Sequence, residues 1–114
     1  MNKRTKIAQQ LMLEIYSYTK AREVNNHEKC IHHLGRAHIL SQNSWFRHFY
    51  IHFLMFEYSW RRKDYKEVRG QILRMIVTIP GHMLKKVPKG NTGWSSIGLN
   101  QVLPIPTDLE SILK

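Results

Sequence analysis

The sequence has little cysteine, and it has no long apolar run. Its single cysteine, Cys30, excludes an internal disulfide framework and any zinc site built from several cysteines. One cysteine also fits a reducing compartment, so we expect a cytoplasmic protein. No apolar run reaches the length of about 18 residues that a membrane-spanning helix needs. The basic start at Lys3, Arg4 and Lys6 lacks the apolar core and cleavage site of a signal peptide.

Acidic residues are also scarce. Eight Asp and Glu stand against eighteen Lys and Arg, which gives a formal net charge of +10. Such an excess favours an acidic macromolecular partner such as a nucleic acid. No two carboxylates share a helix at catalytic spacing, Ser95 and Ser96 have no neighbouring His or Asp, and no Gly-rich loop joins a strand to a helix. These absences argue against a hydrolase, a transferase or a nucleotide site, so we do not predict an enzyme.

Proline is absent before Pro80, and the first 80 residues are therefore free to be helical. The spacing of apolar residues predicts helices over residues 3–22, 27–41 and 45–62, and a fourth that begins after Asp64 and ends at Pro80 and Gly81. We therefore predict an all-α fold of four antiparallel helices in one domain, 1–114, with a helical core over 3–86 and a docked tail over 87–114. The predicted inward faces are Ile7, Leu11, Ile15 and Tyr18; Cys30, Leu34, Ala37 and Ser41; Trp45, Phe49, His52, Phe56 and Trp60; and Val68, Ile72, Met75 and Ile76.

The tail is rich in residues that interrupt helices. Gly90, Gly93, Gly98, Pro104 and Pro106 exclude a long helix, yet the apolar side chains among them favour docking over disorder. We expect an extended segment lying across the helices. A capping box formed by Thr107 and Glu110 predicts a short last helix.

A faint internal repeat relates the two halves of the predicted helical core. Residues 26–37 align with residues 64–75, which places Cys30 opposite Val68 and Leu34 opposite Ile72. A helix–turn–helix unit repeated in this way resembles tetratricopeptide pairs, whose period is about 34 residues. We therefore predict two tetratricopeptide-like helix pairs.

Histidine is unusually frequent, with seven residues, six of them between His27 and His52. His48 and His52 are four positions apart on one predicted helix, so both rings project from the same face. His38 precedes the short turn that leads into that helix. Glu14 lies on an otherwise apolar line, and a carboxylate there must be paired or neutralised. His38, His48, His52 and Glu14 would together suit a divalent transition metal, namely zinc, nickel, copper or iron.

Two other interpretations stay open at this point. The histidines also fit ordinary packing or hydrogen bonding, and Glu14 also fits a pairing with Arg22, Arg36 or a buried tyrosine. The alternative function is a helical adaptor that binds an acidic peptide or a nucleic acid through a basic face, although the same charges also suit a plain solvated surface. The basic face would comprise Arg61, Arg62, Lys63, Lys66 and Arg69, continued by Lys85, Lys86 and Lys89.

Several ordered motifs resemble a family of short bacterial proteins of unknown function. They are the segment from His33 to Gln42 (HLGRAHILSQ), His48 and His52 ahead of Met55, Trp60 to Gln71, Val87 to Gly93 (VPKGNTG) and Pro104 to Leu109 (PIPTDL). The resemblance extends from about Ile7 to Leu109. It implies a helical fold and invites a metal-binding role, but it carries no established activity.

Overall fold

The computed structural model describes residues 1–114 and contains five helices and no strand. The helices are α1 (Lys3–Glu23), α2 (His27–Ser41), α3 (Trp45–Arg61), α4 (Tyr65–Met83) and α5 (Thr107–Leu113). The predicted all-α fold is confirmed, and the bounds predicted for α1, α2 and α3 hold to within one residue. None of the helices is long and apolar enough to cross a membrane.

Side chains that cap the helices explain why the first four begin where they do. Asn2, Asn26, Ser44 and Asp64 each accept a hydrogen bond from a backbone N–H in the first turn of the following helix. Only a few residues separate these helices, so consecutive ones fold back on each other. Helix α1 packs against α2, α3 against α4, and α2 against α3, whereas α5 contacts α1. The tetratricopeptide-like character of the two pairs stays a prediction.

Two of the predicted helix signals were wrong. Pro80 does not end α4, which continues to Met83. Although Pro80 has no N–H to donate, its carbonyl still accepts a hydrogen bond from the N–H of Leu84 at 2.9 Å, so backbone hydrogen bonding continues beyond the proline. Thr107 does not cap α5, because the helix already includes it; Pro106 occupies the cap position and no side-chain cap bond forms.

The predicted inward faces are confirmed for α1 and α2. In α3 and α4 only His52 and Val68 are buried as predicted, and the other residues of the two predicted faces are exposed or half-buried. Trp45 and Trp60 are 51% and 59% exposed, and Ile76 is 67% exposed. Polar groups take several of the inward positions, since each of them finds a hydrogen-bond partner there, and on α3 they share the inward face with other apolar residues. The buried residues of α3 are His48, Ile51, His52, Leu54, Met55, Tyr58 and Ser59, and those of α4 are Val68, Gln71, Arg74 and Thr78.

The segment between α4 and α5 docks on the helices, as predicted. Trp94 is buried and donates its indole N–H to the carbonyl oxygen of Ile31 at 3.1 Å. The side chain of Asn91 holds the segment in shape, donating to the carbonyl oxygens of Gly98 and Gln101 and accepting from the N–H of Gly93. This docking places tail backbone beside the histidines of α2 and α3.

Candidate metal centre

Three histidines converge in the interior between α2, α3 and α4. The Nε2 atom of His38 lies 2.8 Å from that of His48 and 3.0 Å from that of His52, and the His48 and His52 Nε2 atoms are 3.1 Å apart. All three side chains are buried, and the three rings form a group that could hold a metal ion. Nitrogens about 2.0–2.1 Å from a tetrahedral ion stand about 3.3 Å apart, so the observed triangle needs to open by only a few tenths of an ångström.

Local sequence explains why the rings meet. His48 and His52 lie one turn apart on α3, so their side chains stack along one face. His38 lies near the end of α2, which finishes at Ser41, and Ser44 already caps α3. That short turn brings the last turn of α2 beside the first turns of α3.

The second ring nitrogens of His38 and His52 are both bound to acceptors. His38 Nδ1 lies 2.6 Å from the carbonyl oxygen of Asn91, and His52 Nδ1 lies 2.7 Å from Oε1 of Gln71. These oxygens only accept, so both Nδ1 atoms must carry the proton. In each neutral ring the lone pair therefore stands on Nε2 and points into the triangle.

The orientation of the Gln71 amide is itself fixed by two acceptors. Its Nε2 donates to the Glu67 carboxylate at 2.8 Å and to the carbonyl oxygen of Gly93 at 3.0 Å. Glu67 in turn accepts hydrogen bonds from the N–H and the hydroxyl of Ser95. A continuous chain of hydrogen bonds thus runs from the docked tail through Gln71 to His52.

His48 is held differently, because its partner is another imidazole. His48 Nδ1 lies 2.8 Å from Nε2 of His82, which is half-buried near the end of α4. Either nitrogen of this pair can be the donor, so the contact leaves the tautomer of His48 free. His48 is thus the one ring of the three whose Nε2 can either carry a proton or present a lone pair.

Burial sets the protonation state of the group. Burial, followed by repulsion from the neighbouring imidazoles, lowers the pKa of His38 far below its usual value and that of His48 to about 3. Burial also lowers the pKa of His52 to about 4, although the hydrogen bond to Gln71 opposes the shift. The three rings are therefore neutral at pH 7, which is the protonation state that binds a metal.

The prediction that Glu14 is a fourth ligand is wrong. Glu14 is buried, as its place on an apolar line indicated, but its carboxylate accepts hydrogen bonds from Arg36 at 3.0 Å and Gln10 at 2.6 Å and pairs with His33 at 2.8 Å. Burial alone would raise the pKa of Glu14, but these hydrogen bonds outweigh it and hold the pKa below its ordinary value. Arg36 also binds Asp108, so this group of charges fastens α5 to α1 and α2.

The other candidate ligands lie outside the triangle. Cys30 is buried in the apolar core with its thiol facing the carbonyl oxygen of Tyr18, and His27 is hydrogen-bonded to Tyr58. His32 is exposed. The residues around the triangle were not predicted, although three of the four lie in the motifs that carried the family resemblance. They are Gln71, His82, Asn91 and Gly93.

The basic residues of the alternative function are all exposed. Arg61, Arg62, Lys63, Lys66 and Arg69 surround the turn between α3 and α4, whereas Lys85, Lys86 and Lys89 follow the other end of α4. The 19 residues of α4 span about 28 Å, so the predicted basic face is divided into two groups. An acidic macromolecular partner gains no support from this arrangement.

Fold and site together define a small all-α protein with a buried three-histidine cluster that could hold a metal ion. The chain belongs to a family described as protein of unknown function (DUF3703), whose model matches residues 5–113. This match confirms the resemblance to a family of unknown function, whereas bacterial origin stays a prediction. No curated protein and no solved structure matches the chain.

Proposed function

We propose that this protein binds one divalent transition-metal ion through the Nε2 atoms of His38, His48 and His52, and acts as a carrier, sensor or buffer of that metal. The observation that carries the proposal is the fixed tautomer of His38 and His52. Their Nε2 lone pairs face each other 3.0 Å apart and cannot hydrogen-bond to one another. Such a contact is repulsive unless a cation, or a proton on the His48 ring, lies between them.

The surroundings of the three rings support the same function. Metal-binding histidines characteristically donate their other N–H to a carbonyl or a carboxylate, which fixes the ring and raises the basicity of the ligand nitrogen. Asn91 and Gln71 do this for His38 and His52. Three imidazole nitrogens suit zinc, nickel, copper or iron(II), and they suit calcium and magnesium poorly because these ions prefer oxygen.

The test is calorimetric titration of zinc, nickel and copper into metal-free protein without a histidine tag, at about pH 7.5, where the rings are neutral. We expect one equivalent to bind to the wild type, and about 100-fold weaker binding or none after His48→Ala or His52→Ala. His32→Ala is the matched control, because it removes an exposed histidine that lies outside the triangle. A wild type that binds no better than the His48→Ala, His52→Ala double variant would refute the proposal.

A further inference from the structure

A cavity of about 250 Å³ opens beside the three histidines, between α4 and the docked tail. All three rings form part of its wall, so an ion bound to their Nε2 atoms would have a fourth coordination position that faces open space. Structural zinc sites are closed by four protein ligands, whereas a site with three ligands accepts an external one. The cavity is too small for most cofactors but has room for a small ligand and a few waters.

The wall of this cavity is positively charged. Seventeen residues line it and none of them is acidic, whereas Arg74 and Lys86 are basic and the amides of Gln42 and Asn100 can donate hydrogen bonds. The Glu67 carboxylate does not line the cavity and reaches His52 only through Gln71, which stands between them. A divalent ion would add two positive charges to this wall.

Arg74 is the residue that gives the cavity its chemistry. Arg74 is buried, with only 8% of the residue exposed, and it forms no salt bridge. Two of its N–H groups donate to the carbonyl oxygens of Gly70 and Ile97, which leaves three of the five guanidinium donors for another acceptor. A buried charge without a directly paired carboxylate is costly, and an anion in the cavity would reduce that cost.

We infer that the cavity binds a small oxyanion, such as a carboxylate, carbonate or phosphate, which coordinates the metal held by His38, His48 and His52 and accepts hydrogen bonds from Arg74. This inference rests on the proposed metal binding. The planar guanidinium suits the paired oxygens of such anions, and the anion supplies the negative charge that the three neutral imidazoles do not. Metal and anion should therefore bind cooperatively.

The experiment uses cobalt(II), whose visible absorption bands change when a ligand of the metal changes. The full chain is loaded with one equivalent, freed of excess metal, and titrated separately with inorganic phosphate, acetate and bicarbonate. We expect a saturable shift of the cobalt bands with at least one of these anions, and weaker binding of that anion by calorimetry to the metal-free protein. The anion that binds most tightly identifies the class of ligand.

Arg74→Met should weaken the binding of that anion by about 10- to 100-fold, because a charge-assisted hydrogen bond is lost, without weakening the binding of cobalt. Arg69→Met is the matched control, since it removes an exposed arginine from the same helix. If Arg74→Met does not fold, Arg74→Lys is the second variant, because it keeps the charge but lacks the planar guanidinium. It should also weaken the binding of the anion.

The two proposals fail in different ways. If cobalt binds but none of the three anions shifts its bands, the oxyanion site is wrong and the metal site stands. Equal anion affinities in the Arg69 and Arg74 variants would likewise refute the role of Arg74. If the wild type binds no cobalt, the proposed function fails and the oxyanion site fails with it.

Discussion

Gly93 is the residue through which the docked tail touches the candidate metal centre most closely. Its φ angle is +86°, in the region that side chains rarely adopt, and a Cβ atom there would lie 2.6 Å from Cδ2 and 2.9 Å from Nε2 of His38. Contacts this short cannot persist, so either the tail or the imidazole must move. Gly93→Ala is therefore a minimal change that acts on both the fold and the site.

The expected cost follows from these two effects. The left-handed backbone costs about 1–2 kcal/mol for a residue with a Cβ atom, and overpacking against a buried ring costs about 1–3 kcal/mol more. The free energy of unfolding should fall by about 2–5 kcal/mol in total. For a chain of this size each kcal/mol corresponds to about 4 °C in Tm, so we expect a decrease of about 10 °C or more.

Gly98→Ala is the matched control in the same tail. Its φ is not positive, and the atoms nearest to an added Cβ are those of Gln101 at 3.5 and 3.6 Å, which is ordinary contact. Both substitutions reduce the conformational entropy of the unfolded chain by the same amount, so the difference in Tm between the two variants reports only on the folded state. Thermal melting of the two metal-free variants, followed by zinc titration, is the assay. If Gly93→Ala melts within about 2 °C of Gly98→Ala and binds zinc equally well, Gly93 is not needed for the close contact with His38.

Four further predictions follow from named contacts. Gln71→Leu removes the acceptor of His52 Nδ1–H and should weaken zinc binding by about 10- to 100-fold in calorimetry, and an unchanged affinity would contradict the role of Gln71. Glu14→Gln removes the buried carboxylate that pairs with Arg36. It should lower the free energy of unfolding, measured in urea, by about 3 kcal/mol and leave the zinc affinity unchanged. A folded variant that no longer binds zinc would show that Glu14 is a metal ligand after all. In the metal-free protein His48 and His52 have folded pKa values of about 3 and 4, below the unfolded value of about 6.5. The unfolded chain therefore binds more protons below pH 6.5, and the free energy of unfolding should fall by about 2 kcal/mol per histidine between pH 6.5 and 5. Urea melts that coincide at these two pH values would exclude this linkage. Deletion of residues 87–114 removes the buried Trp94 and Leu109 and the Asn91 carbonyl that orients His38, so both Tm and zinc affinity should drop. A truncated chain that matches the full chain in either quantity would be inconsistent with the docked tail.

The exposed apolar side chains of α3 and α4 show where a pattern based on hydrophobicity failed. The spacing of Trp45, Phe49, Phe56 and Trp60 is helical, and the helix was predicted correctly, yet Trp45, Phe49 and Trp60 are exposed and Phe56 is only half-buried. Of the predicted stripe only His52 is buried; His48 joins it on the inward face, and α4 opposite them buries Gln71 and Arg74. Departures from the hydrophobic rule are expected where a site is built, because function then decides which groups are buried.

The sequence by itself determined the helices, because helix formation depends on groups within about four residues of one another. Asn26 and Asp64 cap their helices by accepting from an N–H three positions further along the chain. The spacing of His48 and His52 is equally short, so the sequence alone predicts that both lie on one face of the helix. Only the tertiary structure decided what surrounds them. His38 meets the carbonyl oxygen of Asn91 across 53 positions, and His52 meets Gln71 across 19. Glu14 pairs with Arg36 and His33 rather than with the three histidines of the triangle for the same reason: a buried polar group is satisfied by whichever partner the packing of distant segments places beside it.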